Sequence, residues 1–164
     1  MKIVDQLNRS ITLKKVPERI ISLVPSITET LHYLGLEDSV VGITKFCVHP
    51  ISWKKSKAIV GGTKTVKINK VMELNPDLII ANKEENSKED IEELAKHFPV
   101  YVSDIKSFED FIAFTNDISK ITNNSQKGNQ LISEILEVKH KIKGYFLDGK
   151  RLEVAYFIWK KPYM

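Results

Sequence analysis

Short runs of almost unbroken apolar residues recur along this chain, each followed by a stretch with helical signals. That alternation constrains the fold more than any other feature. Ile20-Ile21-Ser22-Leu23-Val24, Val40-Val41-Gly42-Ile43, Leu78-Ile79-Ile80-Ala81 and Val100-Tyr101-Val102 read as strands. They are too short for helices and too apolar for strands with one wet face. Strands buried on both faces imply a parallel sheet, because βαβ crossovers place helices on each side. Between them, Pro25 ends the first strand, and Ser26 with Glu29 has capping-box spacing for a helix to Leu34, where Gly35 supplies the stop. Asn69 to Leu74 reads as a short helix, Asn75-Pro76-Asp77 as a turn, Ser87 to about His97 as a helix, and Ser107 with Asp110 as the start of a helix to Ile121.

The flanks read differently. Ile3 to Leu13 has the pattern of a hairpin turning near Asn8-Arg9, and Thr44 to Lys67 reads as one long loop. After a break at Thr122-Asn123-Asn124-Ser125, Leu131, Ile135, Val138 and Ile142 recur at helical spacing, which predicts one long amphipathic helix to about Lys143 with Gly144 just past its end. Val154 to Trp159 is a further apolar run with no helix after it to cover it. The expected organisation is an α/β lobe over residues 1–122, a connecting helix over 123–147, and over 148–164 the first strand of a second lobe that has been cut off.

Composition removes several classes. The 164 residues are 42% hydrophobic and 28% charged, with a single cysteine, Cys47, which excludes a disordered or disulfide-stapled chain. No apolar window has the length a bilayer span requires. The net charge of +4, from 25 basic and 21 acidic residues, is dispersed, so no nucleic-acid partner is expected. The one dense basic cluster, Lys54, Lys55 and Lys57, reads as a solvated loop. Met1 to Val4 runs straight into Asp5, Asn8 and Arg9 without an apolar signal region, so the chain as written is expected to carry no export signal; a mature chain with an added methionine would look the same.

Ligands of open α/β sheets bind beyond the carboxyl ends of the strands. That edge should carry Pro25-Ser26, Thr44 to Pro50, Asn82 to Asn86 and Ser103-Asp104, with Gly61-Gly62-Thr63-Lys64 on the same rim. Polar loop residues alone do not make a site. Gly61 to Thr65 has the letters of a phosphate loop without its spacing, and no glycine-rich dinucleotide fingerprint follows the first strand. Helix capping accounts for Ser26 more cheaply than nucleophilic chemistry. Cys47, His49 and Glu84 could hold a soft metal, but structural zinc asks for four protein ligands, and a free cysteine more often packs as a small hydrophobe. Glu84 and Glu85 read as a solvated loop. Trp159 and Tyr163 could stack on a flat ligand or belong to a core.

Pro17-Glu18-Arg19-Ile20-Ile21-Ser22-Leu23-Val24-Pro25-Ser26-Ile27-Thr28-Glu29, followed by Leu34-Gly35-Leu36 and Val40-Val41-Gly42, resembles the opening of the class III periplasmic binding proteins. These are receptors for vitamin B12, haem and iron–siderophores. Leu74-Asn75-Pro76-Asp77-Leu78-Ile79-Ile80-Ala81 resembles the family's second signature. Thr44 to Pro50, Gly61 to Lys64 and Asn82 to Asn86 are similar to the helical-backbone metal receptors, or cobalamin-binding-like branch. The resemblance implies a Rossmann-like α/β lobe joined by one long helix to a second lobe, with the ligand between them and little cleft closure.

It also implies a non-enzyme without an intrinsic cofactor, the substrate-binding component of an ABC importer for cobalamin or a ferric siderophore. Contacts to that chelate would come from Pro25, Ser26, Thr44, Lys45, Phe46, Thr63, Lys64, Asn82, Lys83 and Trp159. The implied setting is periplasmic or cell-surface and the implied state a monomer. Asn69 stands where such receptors carry a glutamate that docks to the permease, and Thr63 and Asn82 stand where corrin-binding members carry aromatics. The missing export signal and Asn69 leave an alternative open, a cytoplasmic metal-chelate or corrinoid sensor or chaperone on the same fold. Another alternative is an enzyme that uses Cys47.

Overall fold

The computed structural model describes residues 1–145, 153–155 and 157. The chain divides into two units, Met1–Ile132 and Ser133–Met164. In the first, strands β1 (Lys2–Val4) and β2 (Ser10–Thr12) pair antiparallel as the expected hairpin, with Asn8 at φ 60° in its turn. There follow β3 (Ile20–Ser22), α1 (Pro25–Tyr33), β4 (Val40–Ile43), α2 (Ile51–Ser56), β5 (Ala58–Ile59), α3 (Ile68–Leu74), β6 (Leu78–Asn82), α4 (Lys88–Ala95), β7 (Val100–Ser103) and α5 (Phe108–Ile121). Strands β3 to β7 form one sheet, ordered β5-β4-β3-β6-β7, with every neighbouring pair parallel.

The central strands are mostly apolar, with polar residues at their carboxyl ends, because alternate side chains enter two separate cores. Ile20, Leu78, Ile80 and Tyr101 face a layer built from α1, α2 and α5, where Ile27, Leu31, Trp53, Phe114 and Ile118 pack. Ile21, Ile79, Ala81, Val100 and Val102 face α3 and α4, meeting Val71, Ile91 and Leu94. Tyr101 keeps its hydroxyl within this core by donating to Asp117 at 2.7 Å, and burial together with that carboxylate pushes the phenol pKa up.

Side chains of the hairpin satisfy the outer edge of β7. Arg9 donates to the Val100 carbonyl at 3.0 Å, Asp5 accepts from the Val102 N–H at 3.1 Å, and Gln6 accepts from the Asp104 N–H at 2.9 Å.

Four sequence expectations need correction. Residues 44–67 are not one loop: Trp53, 1% exposed, anchors α2 in the core and β5 extends the sheet. Lys54 and Lys55 are solvated, but on that helix. Ser26 does not cap α1; Pro25 takes the first helical position, the capping residue is Val24, and no side chain caps the turn. Gly144 lies inside the long helix α6 (Ser125–Tyr145), which runs one residue past it. The caps at Ser87 and Ser107 are as read, each hydroxyl accepting from the N–H three residues on.

Gly35 follows α1 at φ +75°, a conformation that suits glycine. The second unit, as far as it is described, continues α6 to Tyr145, with Lys141 and Glu137 paired at 2.6 Å. The strand expected over 154–159 lies mostly outside the described residues; Val154, Ala155 and Phe157 are described and lie in no strand.

Candidate functional site

Strand order fixes where a crevice can open. From β3 the chain crosses outward to β4 and β5, then returns to place β6 on the other side of β3. The loops leaving β3 and β6 therefore diverge at the carboxyl edge, the switch point where open α/β sheets bind ligands. Residues 23–26 leave β3 there, and residues 83–87 leave β6. The connections after β4, β5 and β7 border the same edge.

On the β4 and β5 side, Phe46 is 51% exposed and the Lys45 ammonium lies 5.0 Å from its ring centroid. Gly62 packs close beneath the ring: a Cβ there would lie 3.0 Å from Thr65 Oγ1 and 3.3 Å from Phe46 Cε2. Thr63 is half-buried in the tight turn that Gly61 opens at φ +111°. On the β3 side, Pro25 is half-buried and Ser26 exposed. A cavity of about 330 Å³ sits there, with Val24, Ile27 and Phe114 in its floor and Ser26, Asn82 and Glu84 around it. Across the 82–86 loop, toward α4, a second cavity of about 490 Å³ shares Asn82 and Glu84 and adds Leu7, Ile91 and Val102.

Several residues expected to meet ligand have other work. Thr44 is fully buried, its hydroxyl 3.2 Å from Cys47 Sγ, so it is withdrawn from the rim. The Lys64 ammonium donates to the Glu84 carbonyl and, at 3.4 Å, to that of Asn86. Asn82 donates to Ser103 Oγ at 3.1 Å and accepts the N–H groups of Glu84 and Glu85 at 2.9 and 3.1 Å. Lys106 and Lys83 each donate to Asp104 Oδ2 at 3.1 Å, and in that order they hold the Asp104 carboxyl below its usual range. Trp159 lies outside the described residues.

The candidate metal ligands do not come together. Cys47 is buried and accepts from Thr28 Oγ1 at 3.1 Å, whereas His49 and Glu84 are exposed; among the described residues no three metal-ligating side chains cluster. Asn69 is exposed on α3. Sequence reasoning did not single out Asn86, which is buried and bonds the loop after β3 and the turn after β5 to its own loop, or Lys106. The available signal was Asn82 itself, whose side chain closes an Asx turn over the residues leading to Asn86.

The profile of the family described as periplasmic binding protein matches residues 20–159. An uncharacterized ABC transporter substrate-binding lipoprotein of Bacillus subtilis, YvrC, is 33% identical over 155 residues, covering 90% of this chain and 49% of its own. A vitamin B12-binding protein of Vibrio vulnificus is 32% identical over 121 residues, covering 73% of this chain and 44% of the relative. The crystal structure of the periplasmic vitamin B12 binding protein BtuF of Vibrio cholerae superimposes with a TM-score of 0.80 at 25% identity, over 90% of this chain and 58% of that one. The chain spans about half the length of the curated relatives it matches.

Proposed function

The chain belongs to the periplasmic binding protein family, and from that premise we propose that it is the N-terminal ligand-binding lobe of an ABC importer's substrate-binding component. The cargo is a metal chelate, cobalamin-like or iron–siderophore-like. The observation that carries this reading is the switch point between β3 and β6 at the carboxyl edge of the sheet, together with an exposed aromatic ring and its neighbouring cation in the loop after β4 on the same edge. The ABC-transporter and B12-binding relatives support it.

Phe46 offers the chelate a flat apolar face, Lys45 a point charge for an anionic group, and Ser26 and Thr63 hydroxyls that fix orientation. Apolar burial supplies most of the affinity in such sites, and a few polar contacts supply specificity. Residues 1–122 are assigned to the lobe, 123–147 to the connection and 148–164 to the start of a second lobe. The protein acts by binding, outside the cytoplasmic membrane, as a monomer that hands its cargo to a permease. Asn69 on α3 gives that docking a neutral contact where an acid is expected.

Calorimetric titration with cyanocobalamin, haemin and a ferric siderophore tests the reading. It is run on this chain and on a chimaera that takes its second half from the Bacillus relative. Saturable binding of one chelate, weakened by Phe46→Ala, is the expected result. Absence of binding by both proteins to all three would overturn it.

A further inference from the structure

We infer that Asn86 is the positioning residue that holds the ligand-facing loops in register; taking those loops as ligand-facing rests on the function proposed above. Asn86 is 4% exposed, so it offers no surface to a ligand. Its Nδ2 donates to the Leu23 carbonyl at 3.2 Å, in the loop leaving β3, and to the Thr63 carbonyl at 2.9 Å, in the turn after β5. Its Oδ1 accepts the Asn82 N–H at 2.9 Å, at the end of β6. A side-chain amide has two N–H donors and one carbonyl acceptor, and this one uses both kinds of group: the donors tie two connections distant in sequence to the 82–86 loop, and the acceptor closes that loop on itself.

A carboxylate lacks the donors, and alanine lacks everything, so few side chains could replace it. The Asn86 carbonyl adds a further tie by accepting from Lys64, whose ammonium also reaches the Glu84 carbonyl. Lys64 thus clasps the Gly61–Lys67 turn to the 82–86 loop. Loops fixed before binding lose less freedom when a ligand arrives, which raises affinity without a new contact. Asn86 therefore acts on the ligand through Ser26, Thr63 and the loop backbone.

Amide hydrogen exchange on the intact chain tests this without any ligand. The Gly62 N–H, bonded to the Thr65 carbonyl at 3.0 Å, reports the turn, and the Asn82 N–H reports the β6 loop. In Asn86→Ala both should exchange about tenfold faster, the size of effect a lost buried hydrogen bond produces, while Ile21 and Ile79 in the sheet keep their rates. In Asn86→Asp the Asn82 amide keeps an acceptor and stays protected, whereas Gly62 is released. A uniform rise across sheet and loops, or a Gly62 rate unchanged in Asn86→Ala, would overturn the inference. The chelate titrations of the chain and the chimaera are read separately: failure of both to bind any of the three chelates tells against the proposed function, and the exchange rates still decide the role of Asn86.

Discussion

A Cβ placed on Gly128 would stand 2.4 Å from Ser119 Oγ and 2.5 Å from Ser119 Cβ. The first turns of α6 thus touch α5 at a point where only glycine fits, with Ser119 itself 1% exposed and donating to the Asn116 carbonyl at 3.2 Å. Alanine at 128 would gain about 1 kcal/mol of helix propensity. The overlap costs more, so Gly128→Ala should destabilise by about 1–2 kcal/mol net, within the range for overpacked sites. Urea unfolding measures this. Adding Ser119→Gly to the same protein should recover most of the loss, because the two changes share one contact.

Asp5 is 4% exposed and its carboxylate accepts from the N–H groups of Leu7, Arg9 and Val102 as well as from the Arg9 guanidinium. Asp5→Ala would leave the three N–H groups without that acceptor, while the Arg9 guanidinium keeps only its bond to the Val100 carbonyl. With the Arg9 side chain 36% exposed, water recovers part of the loss, and the expected cost is about 2–3 kcal/mol. The urea midpoint should fall accordingly.

Cys47 is fully buried among Thr28, Thr44 and the core beneath α1. A thiol without access to solvent does not react whatever its chemistry. Ellman's reagent should therefore leave it unmodified in native buffer and titrate one thiol per chain in denaturant. Cys47→Ser should leave chelate affinity unchanged; a large loss would restore a metal-ligating or catalytic role.

The Asp104 carboxyl is held below its usual value of 3.8, first by the Lys106 hydrogen bond and then by that of Lys83. A lowered folded-state pKa means that the stability it brings is present above the ordinary carboxylate range and is lost as pH falls through the lower value. The difference in denaturation midpoint between the unaltered chain and Asp104→Asn should be constant from pH 7 to pH 5. It should shrink as pH falls below about 5 and through about 3.8, where half of the unfolded carboxyls are protonated, and be lost below the lower folded value.

Phe46 is half exposed, so Phe46→Ala should shift the unfolding midpoint little. Loss of its ring face should weaken chelate binding by about tenfold, roughly 1.4 kcal/mol. Calorimetry and urea unfolding on the same samples separate the two effects.

Much of this architecture was legible because its signals are local. Ile20-Ile21 and Leu78-Ile79-Ile80-Ala81 announce strands by being apolar at every position, and Ser87 and Ser107 announce helices by being followed by acidic residues that complete their caps. α2 was hidden because six residues holding a single buried anchor, Trp53, make no period. Ser26 misled because a proline one residue earlier had already taken the first helical position. The edge that carries the site followed from strand direction. What each polar residue does there did not, because Thr44, Lys64 and Asn86 differ from ligand-facing residues only in which carbonyl or thiol happens to lie within reach.

Sheets with open margins recruit strands from neighbouring molecules and so risk joining edge to edge. Here one margin, β5, is only two residues long. At the other, a second molecule approaching β7 would find the Val100 carbonyl and the Val102 and Asp104 N–H groups already taken by Arg9, Asp5 and Gln6. The N-terminal hairpin thus occupies the groups a neighbouring strand would need, and a variant shortened past Arg9 should show more intermolecular β-sheet by infrared spectroscopy than the unaltered chain.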